Sequence, residues 1–397
     1  MQSKVMLFDM DGVLVHAGGY WAAREAAIKY FMDRLGWEIP APGADIPPLL
    51  ESYGVTSEWD MVPVCLAIML DAAWEIMPGG SSADTLENAL EVVRKHHLSA
   101  RQIDYSSNIR RFKPFFGLAP VPSEALLRAC ERELEPDVLP HIRRQPFLKE
   151  LLGYTRDVEK SVTFRVFQNL VLGAEAYYQT YQVPPLIQTG SFLEQYDQPL
   201  LRAEICAELN RGVSAGNLFL SILTARPSLP PKEVLTYGRN YTPEAEMALR
   251  MIGLEEIALM SFGRMNYLAE AVGEQADHFL KPSPVQGLAA IRAAITGEER
   301  ASLEWAYELA KEEGNDRMMR LSLDWLPGGV ELHVFEDSTT GILSVRNAVR
   351  ILEKHGAVMD CHAWGVASHT EKVAALKELD AAIFPDVNSA VEAALKV

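Results

Sequence analysis

The sequence predicts an α/β fold: a doubly wound parallel sheet with helices on both faces and a large, mostly α-helical cap inserted after the first strand. Three observations predict it. The chain opens on a short apolar strand, Val5-Met6-Leu7-Phe8, that runs straight into Asp9-Met10-Asp11-Gly12. Strand signals then stop until Leu218-Phe219-Leu220-Ser221-Ile222-Leu223, and apolar residues in between recur at helical spacing. Beyond Leu223, apolar runs at 258–262, 330–335 and 362–367 alternate with helical segments, the pattern of a parallel sheet with helical crossovers.

Each element follows in order. Trp21, Ile28, Phe31, Met32 and Leu35 mark one helical stripe; Phe167, Leu170, Val171, Ala174, Tyr177, Tyr178 and Tyr181 mark another. Loops such as Pro40-Ala41-Pro42-Gly43 separate the cap helices. The expected division is a discontinuous core at 1–16 and 205–397 around a cap at 17–204, with a second, smaller insertion near 297–326 that carries an acidic helix. No internal repeat or low-complexity tract interrupts this plan.

The bulk properties bound the function. At 397 residues with 48% hydrophobic content, the chain has material for two domains with a sizeable core. A formal charge of −17 argues against nucleic acid, which is held by clustered Lys and Arg. It leaves room for a small phosphorylated substrate, since a pocket needs only local positive charge. Cys65, Cys130, Cys206 and Cys361 form no CxxC pair, so reduced thiols are expected. No leader-like segment precedes the first strand and no apolar run reaches the roughly 18 residues of a spanning helix. A soluble, cytoplasmic protein without a membrane partner is expected, its oligomeric state open.

A strand that delivers two aspartates at its carboxyl end can hold both carboxylates rigidly side by side. One can attack while the other moves protons, and both can share a divalent cation. Three later segments supply complementary groups. Thr224 ends the next strand in LFLSILTARPS, Lys281 lies in HFLKPSP, and Glu336-Asp337 ends a strand in HVFEDSTTGI. A calcium loop is the competing interpretation of DxDG, but the further oxygen ligands and terminal Glu of an EF-hand are missing. An oxygen-only ligand set suits a hard cation rather than zinc.

Taken in order, these motifs resemble the haloacid dehalogenase (HAD) superfamily, and the tail WGVASHTEKVAALKELDAAIFPDVNSAVEAAL resembles the ending of its subfamily I, the phosphatase and β-phosphoglucomutase-like members. The resemblance covers the Rossmann-like core. It implies that Asp9 is the nucleophile forming an aspartyl-phosphate, and that Asp11 protonates the leaving alkoxide and then deprotonates water. It implies that Thr224 binds a phosphoryl oxygen and that Lys281 neutralises phosphoryl charge and orients Asp9. Ala225 and Arg226 follow Thr224 in the same loop as further candidate substrate contacts. Mg²⁺ is the implied cofactor, held by Asp9, the Asp11 backbone carbonyl and Asp337, with Glu336 supporting directly or through water.

In this superfamily an aspartate at the Asp11 position marks phosphatases and phosphomutases rather than dehalogenases. The expected function is a Mg²⁺-dependent phosphomonoester hydrolase acting on a small metabolite. A phosphomutase, or a non-catalytic module that binds a phosphorylated ligand or partner, are the alternatives. The sequence departs from the family at His16-Ala17, where Asp-Ser or Asp-Thr is usual, and in the size of the cap.

Other features read as structural. Arg143, Arg144, Lys149, Arg156, Lys160 and Arg165 form a basic cluster whose simplest role is a solvated helical face. The Tyr177-Tyr178-Tyr181 stripe reads as cap core, and His96-His97 and His141 as surface histidines. Asn240-Tyr241-Thr242 is a glycosylation sequon without relevance in a cytosol. Gly79-Gly80-Ser81 lacks the Lys-Ser/Thr of a P-loop.

Overall fold

The first strand, β1 (Ser3–Phe8), sends its side chains alternately into two cores. Val5 and Leu7 pack on one face of the sheet, while Met6 and Phe8 pack on the other. Burial on both faces explains why the strand reads as an unbroken apolar run. This computed structural model describes residues 3–79, 81–132, 135–312 and 322–396.

β2 (Val15–His16) and β3 (Gln198–Pro199) form a short antiparallel pair. The other strands are β4 (Leu218–Leu223), β5 (Ala258–Met260), β6 (Val330–Glu336), β7 (Met359–Val366) and β8 (Ala382–Phe384). With β1 they make a six-stranded sheet, all parallel, in the order β5-β4-β1-β6-β7-β8. The helices Pro284–Thr296 and Thr339–Lys354 cover one face. The helices Ala203–Ser214, Glu244–Ile252 and Val387–Ala394 cover the other. The predicted α/β class with a doubly wound parallel sheet is therefore the observed one.

The strand order reverses at β1, which has β4 on one side and β6 on the other. Such a switch point leaves a crevice beyond the carboxyl ends of the strands. The register places Phe8 level with Ile222 and Phe335, so Asp9, Thr224 and Glu336 all emerge at that end.

Several boundaries differ from the sequence-based expectation. The chain folds as two units, Met1–Gly18 with Tyr196–Val397, and Gly19–Gln195, so the second crossing falls before position 205. The reason is that Ala203–Ser214 buries Ile205, Cys206 and Leu209 against the sheet. The run at 258–262 ends as a strand at Met260, and Phe262 opens a helix. The acidic helix expected as a separate insertion, Glu299–Glu312, instead buries Leu303, Ala306 and Leu309 in the core; residues 313–321 of that segment lie outside the described residues.

The second unit is helical. Its helix Glu58–Ile76 is buried almost all round, from Met61 to Trp74, as befits the centre of a bundle. The helical stripe expected across 167–181 is split at Gly173 into Val162–Leu172 and Ala174–Tyr181. Among the described residues no helix is long and apolar enough to cross a membrane, and the four cysteines are free.

Candidate active site

Asp9 is the first residue past β1. Its backbone N–H is held by the Phe335 carbonyl at 2.9 Å, and its Oδ1 accepts the Met10 N–H at 2.8 Å. The turn that follows depends on Gly12, whose φ is +82°, a left-handed conformation that costs glycine little. A Cβ there would also lie 2.7 Å from Asp337 Oδ2, so glycine lets the β1 loop and the β6 end approach each other.

Asp9, Glu336 and Asp337 each offer a carboxylate oxygen, and these oxygens lie within 4.8 Å of one another. Lys281 is placed between two of them: Nζ is 2.8 Å from Asp9 Oδ1 and 2.7 Å from Glu336 Oε1. Burial, reinforced by the nearby Glu336 charge, holds the Asp9 carboxyl well above the usual carboxylate range, although Lys281 pulls the other way. Burial also works against the charge of Lys281, but Asp9 and Glu336 outweigh it, and the ammonium is held above its ordinary value. Glu336 is fully buried and takes further hydrogen bonds from the Ser338 hydroxyl (3.0 Å) and N–H (3.3 Å). A Cβ on Gly341 would overlap that carboxylate, so the helix after β6 needs glycine there.

Thr224 is the first residue past β4 and is buried. Its backbone N–H bonds to Met260 O at 3.0 Å, and its Oγ1 accepts the Arg226 N–H at 3.1 Å. Gln286 ties this loop to the lysine: its Nε2 donates to Thr224 O (2.8 Å) and Met260 O (2.9 Å), while its Oε1 accepts the Lys281 N–H (2.9 Å). One buried amide thus fixes two loops that carry candidate phosphate ligands.

Asp11 is not one of the three clustered carboxylates. Its carboxylate accepts from Arg226 Nε at 3.2 and 3.3 Å and from Nη2. Arg226 Nη1 meets Asp197 Oδ2 at 2.9 Å, with both side chains fully buried. The guanidinium expected to contact substrate is therefore engaged by two carboxylates, while Ala225 beside it is exposed.

Similarity to known proteins reaches only to the fold. No family model matches the chain, and no curated protein matches it. An X-ray structure of target ZR25 of the Northeast Structural Genomics Consortium is similar over 98% of this chain and 97% of its own, at a TM-score of 0.64 and 16% identity.

The sequence-predicted residues Asp9, Lys281, Glu336 and Asp337 converge, with Thr224 on the adjacent strand end and Asp11 two residues from Asp9. Asp197, Gln286, Ser338 and Lys372 were missed. Ser338 had a signal, since it adjoins Glu336-Asp337 in the strand-end motif. The other three come together only through the fold. Within the helical unit three members of the basic cluster are committed locally. Arg143 donates to the carbonyls of Cys130, Arg132 and Glu135. Arg156 pairs with buried Asp60, and Lys160 with Asp157. Tyr177 and Tyr181 are buried, whereas Tyr178 is half exposed.

Proposed function

We propose that the protein is a Mg²⁺-dependent phosphomonoester hydrolase that acts on a small phosphorylated metabolite through an aspartyl-phosphate. The observation that carries this reading is the meeting of buried Asp9 with Lys281 and the Glu336–Asp337 pair at a switch point of a parallel sheet. Nothing in an ordinary core calls for three carboxylates and a lysine in one place, because each buried charge has to be compensated.

The residues divide the work. An Asp9 oxygen attacks phosphorus and the bond to the leaving oxygen breaks, while Asp11, 38% exposed and two residues on, supplies that oxygen's proton. Asp11 then accepts a proton from the water that attacks the aspartyl-phosphate and restores Asp9. Arg226 fixes the direction of the Asp11 carboxylate, and Asp197 fixes Arg226. Thr224 offers a hydroxyl donor to a phosphoryl oxygen, and Lys281 balances charge on the phosphoryl group and aims Asp9. Asp9, Glu336 and Asp337 form an all-oxygen donor set that fits a hard divalent cation. Such a cation, when bound, neutralises phosphoryl oxygens as charge redistributes during transfer.

The test is phosphate release from a panel of phosphorylated metabolites, with Mg²⁺ and with EDTA, for the wild type beside Asp9→Asn. Metal-dependent release that vanishes in the variant is expected. Full activity in Asp9→Asn would reject the nucleophile assignment, and activity undiminished by EDTA would reject the cation.

A further inference from the structure

Two lysines face the carboxylate cluster, and they differ in kind. Lys281 is 9% exposed, reaches both Asp9 and Glu336, and has its backbone anchored by Gln286. Lys372 comes from a different element, the first turn of the helix Thr370–Glu378 that follows β7. Its Nζ donates to Asp337 Oδ2, yet its side chain is 56% exposed. Asp337 is the least buried of the three clustered carboxylates, and Oδ2 is the oxygen that faces Gly12 in the β1 loop.

An ammonium on a four-carbon stem is a compact, strongly hydrated point charge that can leave its partner at little cost. An exposed pair of this type is weak, because it orders a long side chain in high dielectric. Lys281 has no such freedom, since its departure would strand two buried carboxylates. The two cations are thus one fixed and one exchangeable, and the exchangeable one sits on a carboxylate that a divalent cation bound among Asp9, Glu336 and Asp337 would also draw on.

Resting on the cation-dependent reading above, we propose that Lys372 is a tethered competitor for the metal. It occupies Asp337 until a divalent cation displaces it, and so sets how tightly this site binds that cation. The pair then acts as an affinity governor: it shields Asp337 at low cation concentration, and its ammonium swings into solvent when the cation enters.

Calorimetric titration of the full chain with MgCl₂, supported by Mn²⁺ electron paramagnetic resonance, tests the idea independently of turnover. Wild type, Lys372→Ala, Lys372→Arg and Asp337→Asn are compared at constant ionic strength. Lys372→Ala is expected to bind about three- to tenfold more tightly, because both the competing pair and a nearby positive charge are lost. Lys372→Arg should stay within about twofold of wild type, since it keeps charge and reach. Asp337→Asn should bind weakly. Unchanged or weaker binding in Lys372→Ala, with wild-type binding intact, overturns the proposal and spares the functional reading. Failure of the wild type itself to bind either cation at millimolar concentration overturns both.

Discussion

Asp9→Asn should raise the stability of the cation-free protein while removing its activity. The carboxylate oxygens of Asp9, Glu336 and Asp337 lie within 4.8 Å of one another. At that separation two unit charges repel by roughly 3.5 kcal/mol at an effective dielectric near 20. Asp9 suffers two such repulsions, about 7 kcal/mol together. The attraction of Lys281 Nζ, 2.8 Å from Asp9 Oδ1, returns roughly 6 kcal/mol on the same scale. Burial adds a desolvation cost, and it is the leading reason that the Asp9 carboxyl sits well above the usual range. An asparagine removes the repulsions, the attraction and the desolvation together. Its amide oxygen still accepts the Met10 N–H that Asp9 Oδ1 takes at 2.8 Å.

The expected gain is about 1–3 kcal/mol in EDTA near pH 7.5, which for a unit of this size raises the melting temperature by about 2–12 °C. Because the folded state holds the Asp9 proton more tightly than the unfolded chain, wild-type stability falls as pH rises above the ordinary carboxylate range. The advantage of the variant should therefore widen with pH and vanish in acid. Mg²⁺ should cancel or reverse that advantage, since a ligand at 100 times its Kd adds about 2.7 kcal/mol to the form that binds it. Differential scanning calorimetry with and without Mg²⁺, beside phosphate release, reads all of this. A variant that melts lower in EDTA would refute the view of Asp9 as an under-compensated charge, whatever its activity. Release should drop by at least about 10³-fold, as for loss of a nucleophile.

Three further outcomes follow from the same geometry. Lys281→Met should destabilise the cation-free protein by about 3–5 kcal/mol, because it leaves Asp9 and Glu336 buried without a cation; denaturant melts check it, and a loss under about 1 kcal/mol counts against the assignment. Arg226→Met should cost about 3 kcal/mol by taking the guanidinium from fully buried Asp197. Pairing it with Asp197→Asn in a double-mutant cycle should recover part of that loss, whereas strict additivity would mean that the pair is not coupled. His333, fully buried on β6 with Nε2 2.9 Å from Glu331, is pushed down to about 4, by burial first. The unfolded ring titrates near 6.5, so between the two values only the unfolded chain takes the proton, and stability falls by roughly 2–3 kcal/mol as pH drops through that window. His333→Gln should flatten this slope in urea melts taken from pH 7 to 4, and an unaltered slope excludes the histidine as its source.

What the sequence disclosed depended on how far each signal reaches. Asp9, Thr224 and Glu336 were legible because an apolar run buried on both sheet faces must end at the crevice, and a polar residue at that end is conspicuous. The order of the strands was less so: β8 is three residues long and β5 stops at Met260, too short for periodicity to fix their limits. The helix Glu299–Glu312 read as an acidic insertion because its exposed face carries the charges, while Leu303, Ala306 and Leu309, at helical spacing, hold it to the core. Asp197 and Gln286 were invisible for a different reason. A buried aspartate and a buried glutamine have no sequence signature of their own; only the packing shows that one holds Arg226 and the other spans two loops.

Under the proposed function, Arg226 shows how an overall acidic protein would serve a phosphate chemistry. Five carboxylates gather at this end of the sheet, namely Asp9, Asp11, Asp197, Glu336 and Asp337, against three cations, Lys281, Arg226 and Lys372. The cations are not spread evenly. Arg226 holds both Asp11 and buried Asp197, so this branch keeps one negative charge in excess, apart from Asp9. The branch that contains Asp9 holds three carboxylates and two lysines, one of them exposed and replaceable. Taken together the site is short of two positive charges, the deficit that a single divalent cation removes. A phosphate dianion approaching before that cation would meet net repulsion, and after it a balanced site with Lys281 already in place. The net charge of −17 thus does not decide what binds here. Under the proposed function the local balance does, and cation binding is then a precondition for phosphate binding rather than an accompaniment to it. Phosphate affinity measured by calorimetry should accordingly rise with Mg²⁺ occupancy and be undetectable in EDTA; equal phosphate binding under both conditions would break this ordering.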